Sequence, residues 1–131
     1  MTDHDFETEV PVRFRDVDAM GHVNNAVYAT YFEEARAAYF REVIGVELSA
    51  VDSVLASLSI DFHAPVTADD RLTVGVSVPD LGESSIPMEY EVRKDDGTLA
   101  ATGETVQVAY DRETGESRSA PDAWREAIGS A

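Results

Sequence analysis

Apolar and polar positions alternate at the start of the chain. Phe6, Thr8, Val10, Val12 and Phe14 fall on one side, and Glu7, Glu9, Arg13 and Arg15 on the other. A period of two marks a half-buried strand and predicts one over residues 6–15, with Pro11 on the outer side pointing to an edge or a bulge. After a loop at 16–25 the period changes. Between residues 26 and 44, Tyr28, Phe32, Ala35, Tyr39 and Val43 recur at helical spacing, while Glu33, Glu34, Arg36, Arg41 and Glu42 lie elsewhere on the cylinder. Asn24 or Asn25 is expected to cap this helix, and Gly45 to end it. Tyr31, Ala38 and Phe40 widen its apolar girth so far that a sheet is expected to wrap it.

Four more strands follow. Residues 54–63 set Ala56, Leu58, Ile60 and Phe62 against Ser57, Ser59, Asp61 and His63. Leu72, Val74, Val76 and Val78 form the next inward series, then Ile86, Met88, Tyr90 and Val92. Asp96-Gly97 signals a tight hairpin into residues 99–110, where Val106, Val108 and Tyr110 are expected inward. A short helix is expected to begin near Pro121. One strand, one long helix and four strands in hairpin succession predict a single α+β domain over residues 1–131.

Composition narrows the function. The chain has 26 acids against 10 bases, a net charge of −16 that argues against nucleic acid, whose phosphates need basic partners. Lys94 is the one lysine. Acids spread along a chain that is 44% hydrophobic predict a folded protein with a surface adapted to high salt, where screening removes self-repulsion. The absence of cysteine excludes disulfides and thiolate chemistry. No apolar run approaches the ~20 residues of a membrane span, and the acidic start lacks a secretory pattern, so a soluble, cytoplasmic protein without membrane contact is expected. His4, His22 and His63 show no metal-ligand spacing, so no metal is expected, and there is no G-x-S-x-G for a serine triad.

The candidate chemistry is concentrated in one loop. Asp18, Gly21, His22, Asn24 and Asn25 directly precede the predicted helix, placing a carboxylate beside backbone N–H groups that lack intrahelical partners. Such groups stabilise a carbonyl oxygen gaining negative charge, which points to acyl transfer. Asp16 is expected to solvate the strand end, and His4 and His63 to be unremarkable.

Asp18-Ala19-Met20-Gly21-His22-Val23-Asn24-Asn25, followed by Tyr28 and Phe32-Glu33-Glu34-Ala35-Arg36, resembles the hotdog-fold acyl-CoA thioesterases of the 4-hydroxybenzoyl-CoA thioesterase type. Ile60-Asp61-Phe62-His63-Ala64-Pro65-Val66, Asp70 and Thr114-Gly115 extend the likeness over nearly the whole chain. The resemblance implies a five-stranded antiparallel sheet around one central helix, in a homodimer or homotetramer with active sites at the dimer interface. It implies Asp18 as nucleophile or general base, the backbone N–H near Asn25 as oxyanion donor, and His22 as a further catalytic candidate. Gly21, Asn24, Tyr28 and Phe32 are then substrate-binding candidates, although for Tyr28 and Phe32, as for Tyr31, core packing is the first expectation. No cofactor is implied beyond the coenzyme A of the substrate. Its phosphates have Arg93 and Lys94 as candidate ligands, with Arg13, Arg15 and Arg71 behind them. The alternative is a non-catalytic hotdog module that binds acyl-CoA or an acyl carrier.

Overall fold

Five strands pair antiparallel in the order β1-β3-β4-β5-β2, with β1 at Phe6–Val10, β2 at Ser53–Phe62, β3 at Leu72–Ser77, β4 at Ser85–Lys94 and β5 at Leu99–Ala109. The structure is a computed structural model that describes residues 6–50 and 52–129, so His4 lies outside the described residues. Helix α1, Val27–Tyr39, continues as a π-helical turn over Phe40–Ile44. Gly45 stops it at φ 90°, its amide reaching back to the Phe40 carbonyl at 2.7 Å. This is the single long helix and the glycine stop that the periodicity predicts. A second helix, α2, spans Asp122–Gly129 and inserts Trp124 edge-on against Phe40.

Register decides which side chains meet α1. Phe6, Thr8 and Val10 of β1 pair with Val76, Val74 and Leu72 of β3. Val74, Val76 and Leu72 in turn pair with Val92, Tyr90 and Lys94 of β4. On β5, Ala101, Gly103, Thr105 and Gln107 stand opposite Val92, Tyr90, Met88 and Ile86. On β2, Phe62, Ile60, Leu58 and Leu55 continue those rows, with a bulge at Ala56. The face towards α1 is therefore mostly apolar, its polar positions being Thr8 on β1, Lys94 at the end of β4, and Thr105 and Gln107 on β5.

Two expectations fail here. The first strand ends at Val10 rather than residue 15, because Pro11 has no N–H to extend the ladder. The chain then enters a 3₁₀ turn at Phe14–Asp16 that leaves Phe14 93% exposed. On β5 the inward side is reversed. Thr105 and Gln107 are buried, whereas Val106 and Val108 take the opposite face. Pairing to β4 fixes that register whatever the polarity of the side chains.

The α1 residues Tyr28, Phe32 and Arg36 form one stripe of i, i+4 neighbours, about 6 Å apart along the axis. They meet the sheet in tiers. Tyr28 lies edge-on to Phe62, with ring centroids 5.1 Å apart. Phe32 stacks on Tyr90 at 4.4 Å and 10°. Arg36 donates to the Tyr90 hydroxyl at 3.3 Å, and that hydroxyl also meets Thr105 Oγ1 at 2.7 Å. Gly103 is required at the middle tier, since a Cβ there would sit 2.2 Å from the Phe32 ring.

Candidate active site

The loop ahead of α1 is a small hairpin. Val17 and Val23 form an antiparallel bridge, the Asp18 amide donates to the His22 carbonyl at 2.8 Å, and Gly21 turns the chain at φ 81°. The Asp18 carboxylate takes part through one oxygen only. Oδ1 accepts the Met20 amide at 2.8 Å and the His22 amide at 3.3 Å, while Oδ2 accepts nothing among the described residues. Asp18 as a whole is exposed.

Two anchors fix this hairpin to the body. The Val23 amide donates to the Val66 carbonyl at 2.7 Å, and the Asn24 amide to the Asp16 carbonyl at 2.9 Å. Asp16 is not the solvated strand end expected of it. It is 6% exposed, and its Oδ2 accepts both the Tyr31 hydroxyl and the Arg13 amide at 2.8 Å.

The helix start also differs in detail from the expected cap. Ala26 occupies the N-cap with helical angles and no side-chain bond. Asn24 serves the step before it: Oδ1 accepts the Ala26 amide and its carbonyl accepts the Val27 amide, both at 2.9 Å. The amides around Asn25 are thus committed, and that of Asn25 itself finds no acceptor among the described residues.

Asp18, Met20, His22, Val23, Asn25 and Tyr28 line a cleft of about 360 Å³, closed opposite by Phe62, His63, Ala64 and Pro65. The candidates Asp18, His22, Asn25 and Tyr28 therefore come together. Gly21 and Asn24 shape the loop from outside the lining. Phe32 does not reach the cleft and lies fully buried one helical turn behind Tyr28. Burial, and then the charge of Asp70, push the Tyr28 phenol above the usual tyrosine range.

The alternation of residues 54–63 put His63 on the outer face, but β2 ends at Phe62. Beyond that point the His63 and Ala64 amides both turn to the Ala100 carbonyl, and His63 joins the cleft with Nε2 3.1 Å from Thr102 Oγ1. The signal for it was its place in the second segment of the family resemblance. Arg93 and Lys94 lie outside the cleft and are occupied. Arg93 donates to the Gly97 carbonyl and to Glu91, and Lys94 pairs with Asp70 at 3.2 Å. Arg13 pairs with Glu34, which leaves Arg15 and Arg71 exposed among the candidates.

The Thioesterase-like superfamily matches this chain over residues 12–128. The chain belongs to that superfamily. Its fold is the hotdog fold, with the helix enclosed as the resemblance implied. Protein YsmA of Bacillus subtilis is 31% identical over 97% of the chain and 87% of its own length. The acyl-CoA thioesterase YbgC of Haemophilus influenzae is 31% identical over 83% of the chain and 82% of its own. A Thermus thermophilus thioesterase solved with coenzyme A and zinc superposes with a TM-score of 0.87 at 38% identity, covering 96% of this chain and 98% of that one. Among the described residues of this thioesterase-like chain, no three His, Asp or Glu side chains are grouped to hold a metal ion. No helix among those residues is long and apolar enough to cross a membrane.

Proposed function

We propose that the protein hydrolyses acyl-CoA thioesters to the free acid and coenzyme A. The observation that carries this reading is one cleft lined by both Asp18 and Asn25, where among the described residues Asp18 Oδ2 has no hydrogen-bond donor and the Asn25 amide no acceptor. With the thioester carbonyl at the α1 start, the Asn25 N–H receives the developing oxyanion. Asp18 either attacks the carbonyl carbon or takes a proton from the water that does. The C–S bond then breaks and the thiol leaves with a proton; where Asp18 itself has attacked, water hydrolyses the mixed anhydride so formed, and by either route one water is consumed, the acid is released and Asp18 is regenerated. A single carboxylate and a helix terminus suffice because the thioester carbonyl is weakly resonance-stabilised. His22 and His63 stand at the cleft for protonation of the leaving sulfur. The acyl-CoA activity of YbgC and the coenzyme A in the Thermus structure support the substrate class.

The same reading assigns a homodimer. Strand β2 is ten residues long, lies at the sheet edge, and leaves Val54, Leu55, Leu58 and Phe62 between 42% and 49% exposed. An uncovered edge of this length is a template for pairing with another strand, and a second copy of β2 satisfies it.

The deciding assay measures thiol release from a series of aliphatic and aromatic acyl-CoAs. Release from any of them supports hydrolysis. Tight binding of acyl-CoA with no release across the series overturns it in favour of the binding module.

A further inference from the structure

Asp16 and Asp18 are near neighbours in the chain, but only Asp18 lines the cleft, and Asp16 is buried. A buried acid is costly unless donors compensate it, and an apolar pair would fill the same space at less cost. Here the Tyr31 hydroxyl and the Arg13 amide compensate it, both at 2.8 Å from Oδ2. A satisfied polar group of this kind holds one geometry where apolar packing tolerates several.

The turn around Asp16 has little else to hold it. Strand β1 ends at Val10, and the 3₁₀ turn at Phe14–Asp16 leaves Phe14 93% exposed, so neither a ladder nor an aromatic anchor fixes it. The turn is instead clamped to α1 at Tyr31 and Glu34, i, i+3 neighbours on one helix face. Asp16 takes the Tyr31 hydroxyl, and the Arg13 guanidinium donates to both carboxylate oxygens of Glu34. Water reaches the Glu34 contact, whereas the Tyr31 contact is buried.

From Asp16 the clamp passes to both reacting groups. Its carbonyl accepts the Asn24 amide at 2.9 Å, the base rung of a hairpin continued by the Val17–Val23 bridge and by the Asp18 amide on the His22 carbonyl at 2.8 Å. Asp18 lies on the outgoing arm of this hairpin, and Asn25 directly follows the returning arm. The base rung therefore governs how far the Asp18 carboxylate stands from the Asn25 amide. The other tie, from the Val23 amide to the Val66 carbonyl, joins the hairpin to the loop after β2 and not to α1.

Resting on the hydrolase reading, we infer that Asp16, held by Tyr31, is a positioning residue that fixes the spacing of the Asp18 carboxylate and the Asn25 amide. It acts through the hairpin and touches no reacting atom. Its loss therefore lowers kcat and leaves KM in place.

The test measures kcat and KM for thiol release, well below each melting midpoint, in the parent, Tyr31→Phe, Asp16→Ala and the double variant. Tyr31→Phe keeps the ring and loses one O–H; kcat should fall at least about tenfold with KM held within about twofold, since small misplacement of a reacting group costs up to about 10²-fold. Asp16→Ala should lose more, because both bonds to Oδ2 go. The double variant should be no slower than Asp16→Ala alone, because the two side chains act through one bond. Where Asp16→Ala fails to fold, Tyr31→Phe decides alone. Trp124→Phe, on α2 against Phe40, is the control for lost stability and should keep the parental kcat. A folded Tyr31→Phe with parental kcat overturns the inference, as does a loss confined to KM or an equal kcat loss in Trp124→Phe. If the parent releases no thiol from any acyl-CoA, the hydrolase reading fails instead, and the spacing is read from amide hydrogen exchange. Exchange at Asp18 and Asn24 that is at least about tenfold faster in Tyr31→Phe, with β4 and β5 unchanged, supports the clamp, and parental exchange at both overturns it.

Discussion

The Tyr31 hydroxyl donates to Asp16 Oδ2 at 2.8 Å, in an interior where Tyr31 is fully buried and Asp16 is 6% exposed. The Asp16 carbonyl in turn accepts the Asn24 amide, so this bond links the middle of α1 to the loop carrying Asp18. Burial first, then the hydrogen bond and charge of Asp16, push the Tyr31 phenol far above the usual tyrosine range.

A phenol with a raised folded-state pKa contributes stability that is complete below the unfolded value near 10.0. Above that value the unfolded chain releases its proton while the folded chain keeps it, so stability falls as pH rises. Denaturant melts above about pH 10 should show this loss. Tyr31→Phe should flatten the alkaline slope and lower stability at neutral pH by about 1–3 kcal/mol, since Asp16 loses a buried donor. An identical slope in both proteins would remove Tyr31 as the cause.

Gly103→Ala should lower the melting midpoint, because its methyl group has to displace the Phe32 ring from Tyr90. Overpacking of this kind typically costs about 1–3 kcal/mol. Calorimetry of the variant beside Gly97→Ala separates crowding from the positive-φ strain at Gly97, where nothing crowds an added carbon. Equal losses with an undisturbed tyrosine near-ultraviolet signal would contradict the tier packing.

How much of this was legible depended on whether local pattern or pairing decides a position. The α1 stripe, the Gly45 stop and the Asp96-Gly97 turn were legible because spacing and backbone chemistry set them locally. The inward face of β5 was not, since Val106 and Val108 carry the apolar signal while the ladder to β4 turns Thr105 and Gln107 inward. That Asp18 and Asn25 line one cleft was legible from their shared place in the loop ahead of a helix. Asp16 could not be told from a solvated acid, because its partner Tyr31 is fifteen residues away. His63 was hidden by an alternation that stops one residue before it.

Acidity leaves a specific imprint on the sheet. Glu7, Glu9, Glu89, Glu91, Glu104 and Asp61 share the face away from α1, and Glu89 stands directly opposite Glu104. Like charges so placed repel, and the Debye length falls from ~30 Å at 0.01 M to ~3 Å at 1 M. Melting midpoints should rise with potassium chloride, and Glu104→Gln should rise less than the parent. A midpoint flat from about 0.1 M to about 2 M would leave the net charge of −16 without a stability role.

If β2 pairs with its own copy, a charge at its centre should split the assembly. Leu58 is 42% exposed and faces the α1 side of the strand. Leu58→Glu should sediment as a monomer at concentrations where the parent is a dimer. It should lose thiol release as well if the site needs both copies. A parent that sediments as a monomer at micromolar concentration in high salt would refute the pairing outright.

Asp18→Asn isolates the charge from the shape. An asparagine oxygen can still accept the Met20 and His22 amides that Oδ1 accepts, so the hairpin and the melting midpoint should survive. What disappears is the anionic oxygen left over for attack or for proton removal. Turnover should fall by at least about 10²-fold for a general base, and further for a nucleophile. Asp16→Asn is no neutral control, because that carboxylate is buried under Tyr31 and Arg13. Asp69→Asn, exposed and outside the cleft, is the better one and should keep parental activity. Should Asp18→Asn retain most of its turnover, the carboxylate holds the loop and the chemistry belongs elsewhere in the cleft, with His22 and His63 the next side chains to replace.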